Sequence, residues 1–200
     1  MLWLLETSVR LAIQQAYKSG TLPTAQQQID YEARYAVSAS ETTSRLLTVA
    51  GNNAEVAVKG VITKAPSFLA MLFGGGNTTY GEIIAALAEA EADATVDNIT
   101  LAIDSPGGQF DGLFDAIDAI QSTSKPVKAV ISNVGASAAF ALASQADEVV
   151  ASNRAARIGS VGVAATIGID DSEVTITSTN APRKRPDVTT EEGKAMVRGS

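Results

Sequence analysis

The chain has 200 residues and a formal net charge of −7, with 15 Lys and Arg against 22 Asp and Glu, and it contains neither cysteine nor histidine. That length suits one domain around a single sizeable core. The acidic balance argues against a general nucleic-acid binder, which must supply cations to phosphates, and the missing residue types exclude disulfides, thiolate sites, Cys-His and Ser-His-Asp catalysis and most zinc chemistry.

In chain order, "MLWLLETSVRLAIQQAYK" places Leu2, Leu5, Val9 and Ala12 or Ile13 at helical spacing, which predicts an amphipathic surface or docking helix. It lacks the positive flank of a signal peptide, and no apolar run in the chain reaches the ~18 residues of a membrane span. Residues 19–44 are polar and predict a loop with a weak helix around Gln26 to Val37. "EVAVKGVIT", Glu55 to Thr63, alternates and is rich in valine, so it predicts a strand, with Gly60 marking a bulge or a close approach. "FGGGNTT" predicts a mobile loop, and "YGEIIAALAEAEADA" a helix with Ile83, Ile84, Leu87 and Ala88 as its apolar stripe.

"NITLAI" predicts a buried strand running into Ser105-Pro106-Gly107-Gly108, followed by the helix "GLFDAIDAIQ". "KPVKAVIS" is a third strand opened by Pro126; it turns through "NVGA" into a small-residue helix starting near Ser137. "DEVVAS", "IGSVGVAATIGI" and "SEVTITST" add further strands, and the strand-helix rhythm predicts crossovers and a largely parallel sheet. "TTEEGKAMVR" starts a helix with capping-box spacing from Thr189 to Glu192, two or three turns before the last residue.

Few stretches offer chemistry. Gly76 and Gly81 have P-loop glycine spacing, but Glu82 stands where the lysine belongs and would repel phosphate. Gly107 and Gly108, between a strand and a helix, would leave backbone N–H groups unpaired, and such donors can form an oxyanion hole worth roughly 2.7–4 kcal/mol each; the alternative is a plain tight turn. Ser137 begins a helix behind a strand, a position open to a nucleophile but equally to an ordinary N-cap serine. Without histidine, a serine nucleophile needs another base, and lysine is the realistic one. An ordinary lysine, with a pKa near 10.4, is neutral in roughly one molecule in 2,500 at pH 7, so the base must be a lysine pulled into the fold. Lys184 follows the last strand between Pro182 and Pro186; Arg183-Lys184-Arg185 could also be a solvated basic turn.

Taken together and in this order, "VKGVI", "IDSPGG", "GASAAFALASQADEVVA" and "RIGSVGV" resemble the serine peptidases of the signal-peptide-peptidase A type, the S49 group, relatives of the Clp protease and crotonase fold. The likeness runs from about Val56 to Asp187. "NAPRKRPDVTTEEG" and the N-terminal "LWLLE" resemble the branch found in bacteriophage head-maturation proteases. The resemblance implies an α/β fold, a repeated β-β-α superhelix with a mostly parallel sheet, in three parts: an N-terminal helical extension at 1–48, the peptidase domain at 49–188, and the start of a truncated C-terminal helix at 189–200.

By the same resemblance Ser137 is the nucleophile and Lys184 the general base, with Lys194 the nearest competitor and Lys128 a more distant one. The N–H groups of Gly107, Gly108 and Ala138 line the oxyanion hole. Gly60, Val61, Ile62 and Gln109 bind the substrate backbone as an added strand, and Ser160 supports the lysine. Family members often carry two glycines after the serine; here Ala138 and Ala139 follow, which implies a narrower pocket. The implied activity is a Ser/Lys endopeptidase that cleaves scaffold and capsid proteins, and itself, inside the procapsid in the host cytoplasm. It implies a homo-oligomeric ring and no cofactor or metal, while the acidic charge and the lack of a long apolar run give the expectation of no nucleic-acid partner and no membrane span. The alternatives are a non-catalytic ring-forming structural protein of the same fold, a peptidase of signal-peptide remnants, and a crotonase-type acyl-thioester enzyme, for which no coenzyme site is visible.

Overall fold

The computed structural model describes residues 3–5, 15–16, 18–20, 23–39, 44–73, 76–162, 164–169, 172–177 and 190–198. In chain order these form β1 (Trp3–Leu5), α1 (Ala25–Ala39), β2 (Leu47–Ala50), β3 (Asn53–Lys59), β4 (Val61–Thr63) and α2 (Phe68–Phe73). Then come β5 (Asn77–Thr79), α3 (Tyr80–Ala92), β6 (Asn98–Ser105), β7 (Gly107–Gln109), α4 (Leu113–Gln121), β8 (Val127–Ala136) and α5 (Ala138–Ala143). β9 (Glu148–Ala151), β10 (Arg157–Gly159), β11 (Ala164–Ile169), β12 (Ser172–Thr177) and α6 (Glu191–Arg198) complete them.

The strands form two sheets. One runs β10-β8-β6-β3-β2, with β9 also on β8, and the other runs β12-β11-β1-β7-β4-β5. In the first sheet β3, β6, β8, β9 and β10 pair in parallel, and only β2 is antiparallel. The chain repeatedly gives one strand to each sheet and then a helix: β3 is followed by β4 and, later, α3, and β6 by β7 and α4. β3 and β4 pair in parallel with β6 and β7 respectively. That is the expected α/β architecture with a mostly parallel sheet and a β-β-α repeat.

Alternation explains which face is buried. Along β6, Ile99, Leu101, Ile103 and Ser105 point inward, as do Ala54, Val56 and Val58 on β3 and Val127, Ala129 and Ile131 on β8. They meet Ile83, Ala86, Leu87 and Ala90 of α3, Leu113, Ala116 and Ile120 of α4, and the alanines of α5. Each large aliphatic side chain removed from water contributes about 1.5–3 kcal/mol; the alanines bring helix backbones close to the sheet.

Three expectations are corrected. The segment read as a single strand from Glu55 to Thr63 is two strands in different sheets, broken at Gly60. Gly60 has φ +70, and a Cβ there would lie 2.2 Å from the Gly76 carbonyl oxygen, so the kink requires glycine.

In the stretch read as a mobile loop, Asn77–Thr79 is a fully buried strand. The Asn77 side-chain amide donates to the Val61 carbonyl at 2.9 Å and to Thr63 Oγ1 at 2.8 Å, which replaces the water a loop would keep. Thr79 and Glu82 then form a capping box on α3. The residue that spoils a P-loop therefore starts a helix. Burial pushes the Glu82 carboxyl up to about 7, against the lowering effect of the Thr79 N–H, and Arg45 pairs with it at 2.8 Å.

Trp3–Leu5, predicted as part of a helix, is a strand. It pairs antiparallel with β7 and joins β11 on its other side. Three residues of helical periodicity are outweighed by sheet hydrogen bonds available on both flanks.

Candidate active site

The adjacent parallel strands β6 and β8 end side by side, with Ser105 opposite Gly135. Two residues beyond each lie Gly107 and Ser137. Ligands of open α/β sheets bind at the carboxyl ends of strands, and Gly107 and Ser137 both follow such ends.

Ser137 is not an ordinary N-cap. It precedes α5 with φ 59 and ψ −119 and makes no side-chain capping bond, whereas a capping serine has extended backbone and accepts from the helix amides. This conformation suits glycine at the first central position of a type II′ turn. For serine it costs about 1–3 kcal/mol. The surroundings enforce it: Ser137 N–H donates to the Gly159 carbonyl at 2.7 Å, its own carbonyl accepts from Ala141 N–H at 2.9 Å, and Ala138 and Ala139 are completely buried beneath it.

Among the described residues the non-glycine residues with positive φ are Ser137 and Ser160. One hydrogen bond connects them, because the Gly159 carbonyl that receives Ser137 N–H belongs to the peptide unit leading into Ser160. Ser160 has φ 57 and is exposed. The strain of the described chain is thus concentrated at one place, where β8 and β10 end together.

The two glycines have separate reasons. Gly107 has φ +96. A Cβ on Gly108 would lie 1.7 Å from the Ile62 carbonyl oxygen, so the β4–β7 approach admits only glycine there. The pair does not form the expected turn with outward N–H groups; it is strand β7, and Gly107 N–H donates to Ser105 Oγ at 3.2 Å. Gly60 donates its N–H to the Asp104 carbonyl at 3.0 Å. Val61 and Ile62 lie in β4, which is paired with β5 on one side and β7 on the other. The strand edge expected to receive a peptide at Gly60–Ile62 is therefore already used inside the fold. Gln109 is buried, and its side-chain oxygen accepts from Lys64 N–H at 2.8 Å.

Lys184 lies outside the described residues. The competing lysines are engaged elsewhere. Lys128 pairs with Glu148 at 2.9 Å and stands 137 − 128 = 9 residues before Ser137 along an extended strand, about 30 Å away. Lys194, on α6, pairs with Glu191 at 2.7 Å.

Two positioning residues escaped the sequence reading. Ser105 is completely buried and donates from Oγ to the Gly60 carbonyl at 2.6 Å while accepting from Gly107, so it joins the break after β3 to the start of β7. Its signal was a hydroxyl at an inward position of an otherwise aliphatic strand. Tyr80 donates its hydroxyl to the Gln109 carbonyl, and its ring fills the space a Cβ on Gly112 would enter. Burial raises its phenol pKa well above the ordinary value. A lone tyrosine at the head of an alanine-rich helix was the available hint.

The class defined by this architecture is an α/β fold of two-strand-plus-helix turns with a strained serine at a strand-to-helix junction. Residues 119–169, which include Ser137, match the model of peptidase family S49. The chain is also similar to the head-tail preconnector protein GP5 of Enterobacteria phage P21, 43% identical over 90 residues that make up 44% of this chain and 18% of that protein. Capsid assembly protease C of Escherichia phage lambda is 42% identical over 90 residues, covering 44% and 20%. The chain thus spans about a fifth of the length of these curated relatives. Similar solved structures include an enoyl-CoA hydratase from Shewanella pealeana, at 13% identity and TM-score 0.44 over 61% of this chain and 51% of that one. Another, from Polaromonas sp. JS666, has 23% identity and TM-score 0.42 over 55% and 48%. The resemblance to S49 peptidases and their phage branch, read from the motifs, is what these sequence comparisons return.

Proposed function

We propose that this chain is a serine endopeptidase that cleaves scaffold and capsid proteins during phage head maturation, with Ser137 as nucleophile and Lys184 as general base. The observation that carries the reading is the backbone of Ser137: strained, buried to 4% exposure, and held at the end of β8 without a capping role. Strain of this kind persists where surrounding structure over-determines it, as at a nucleophile set on a sharp strand-to-helix turn. The match of residues 119–169 to the S49 model and the likeness to a capsid assembly protease support the same reading.

In this mechanism neutral Lys184 takes the proton of Ser137 Oγ as it attacks the scissile carbonyl. The N–H group of Ala138 stabilises the oxyanion, and those of Gly107 and Gly108 join it once they leave Ser105 Oγ and the pairings of β7. The protonated lysine then passes its proton to the departing amine, and water hydrolyses the acyl-enzyme by the same route. Ser160, one peptide from the bond that positions Ser137, supports the base. Subunits assemble into a ring, and the chain acts inside the procapsid in the host cytoplasm.

The test is co-expression with a phage scaffold protein, read by mass spectrometry. Cleavage is expected with the wild-type chain and lost with Ser137→Ala and with Lys184→Ala; undiminished cleavage by Ser137→Ala overturns the assignment.

A further inference from the structure

The strands on either side of β1 belong to the neighbourhood of the site. β7 contains Gly107 and Gly108, and β11 begins at Ala164, shortly after Ser160. β1 lies antiparallel to β7 in the register Trp3 to Gln109, Leu4 to Gly108 and Leu5 to Gly107, and it meets β11 at Trp3 and Ala164. Among the described residues nothing else joins the β11–β12 hairpin to β7 in this sheet. Strands in a sheet lie about 4.8 Å apart, so β7 and β11 enclose a slot about 9.6 Å across, room for one extended chain.

The register also relates this slot to the nucleophile. Ser105 of β6 stands opposite Gly135 of β8, and the chain runs two residues further in each case, to Gly107 and to Ser137. Leu5, paired with Gly107, is the end of β1 that faces the start of β7, two residues beyond Ser105. The remaining edge of β7 is closed, since β4 occupies it.

We propose that the slot between β7 and β11 is the peptide-binding slot of this protein and that its own residues Trp3–Leu5 fill it, as an antiparallel substrate-like strand that must leave before another polypeptide can enter. The proposal rests on the peptidase reading of Ser137 for the word substrate, but the slot itself rests on strand pairing. Recognition by strand addition takes its affinity from main-chain hydrogen bonds and its selectivity from alternate side chains. The occupying sequence, Trp-Leu-Leu, points to extended apolar segments as the class of ligand. A tethered strand competes at an effective concentration in the millimolar range, so a free peptide at micromolar concentration meets a slot that is mostly filled.

The test uses Ser137→Ala chains, so that nothing is cut, and a fluorescent peptide of residues 2–6 of this sequence. Deleting residues 2–5 is expected to tighten binding of that peptide by about tenfold or more relative to the full chain. Equal affinity for the two chains overturns the proposal. Should the deletion disturb the fold, Leu4→Pro in the full-length chain replaces it, removing one backbone donor from a strand paired on both sides; it is expected to reproduce the tighter binding, and its failure to do so counts against the slot. With Ser137 restored, tight binding but no cleavage sinks the peptidase reading and leaves the slot standing. Cleavage with no change in affinity on deletion does the reverse.

Discussion

Ser137 N–H is held by the carbonyl oxygen of Gly159 at 2.7 Å, and this single bond joins the ends of β8 and β10 at the two positive-φ serines of the described chain. Neither serine reaches this conformation from its own preference. The parallel pairing of Val134, Gly135 and Ala136 with Arg157, Ile158 and Gly159 delivers both to it.

Replacing Ser137 by glycine should separate stability from activity. Ser137→Gly removes a strain of about 1–3 kcal/mol, partly offset by the roughly 0.5–1 kcal/mol that glycine loses through a freer unfolded chain. The variant is expected to be inactive yet at least as stable as the wild type in urea unfolding, whereas Ser137→Ala is inactive with no gain. A Ser137→Gly protein clearly less stable than Ser137→Ala would contradict the strain.

The lysine assignment predicts the pH dependence of cleavage. A general-base lysine works only when neutral, so kcat/KM should rise with pH until the lysine has lost its proton. Lys128→Ala should leave the profile in place, because that side chain is paired with Glu148 at the opposite end of β8. A flat profile, or loss of activity in Lys128→Ala with the fold intact, removes Lys184 from the mechanism.

Gly108→Ala should cost at least about 1–3 kcal/mol of stability, the range of overpacking, since its Cβ meets a backbone carbonyl rather than a movable side chain. Gly81→Ala makes the control. Nothing lies within 4 Å of a Cβ there, the residue is helical, and the change should stabilise by up to about 1 kcal/mol. Denaturant midpoints of the two variants should move in opposite directions.

Tyr80 predicts an alkaline limit. Its phenol pKa is raised in the folded state by burial, so its contribution to stability is full below the unfolded value near 10 and is lost as pH climbs from there toward the folded value. Tyrosinate absorbance should show one tyrosine titrating only as the chain unfolds. In Tyr80→Phe that late component should vanish, and a late component that persists would belong to another residue.

The described elements show where local pattern suffices. Helical stripes such as Ile83, Leu87 and Ala90, and alternation such as Ile99, Leu101 and Ile103, are properties of the chain itself, because burial on one face imposes the period. The parallel order followed from the strand-helix rhythm. β7 and β5 escaped, since three-residue strands have no period to detect, and β1 escaped because helical spacing over a few residues cannot compete with two open ladders.

By itself, the absence of histidine and cysteine left lysine as the realistic base for any serine nucleophile, and residue order placed Ser137 behind a strand. Only the tertiary structure decided that Ser137 is strained rather than capping, because φ and ψ there are imposed by a hydrogen bond from another strand. It likewise decided why two glycines stand together: Gly107 bends the chain, and Gly108 lets β7 reach the backbone of Ile62, a contact between residues 46 positions apart in the chain (108 − 62) that no local pattern encodes.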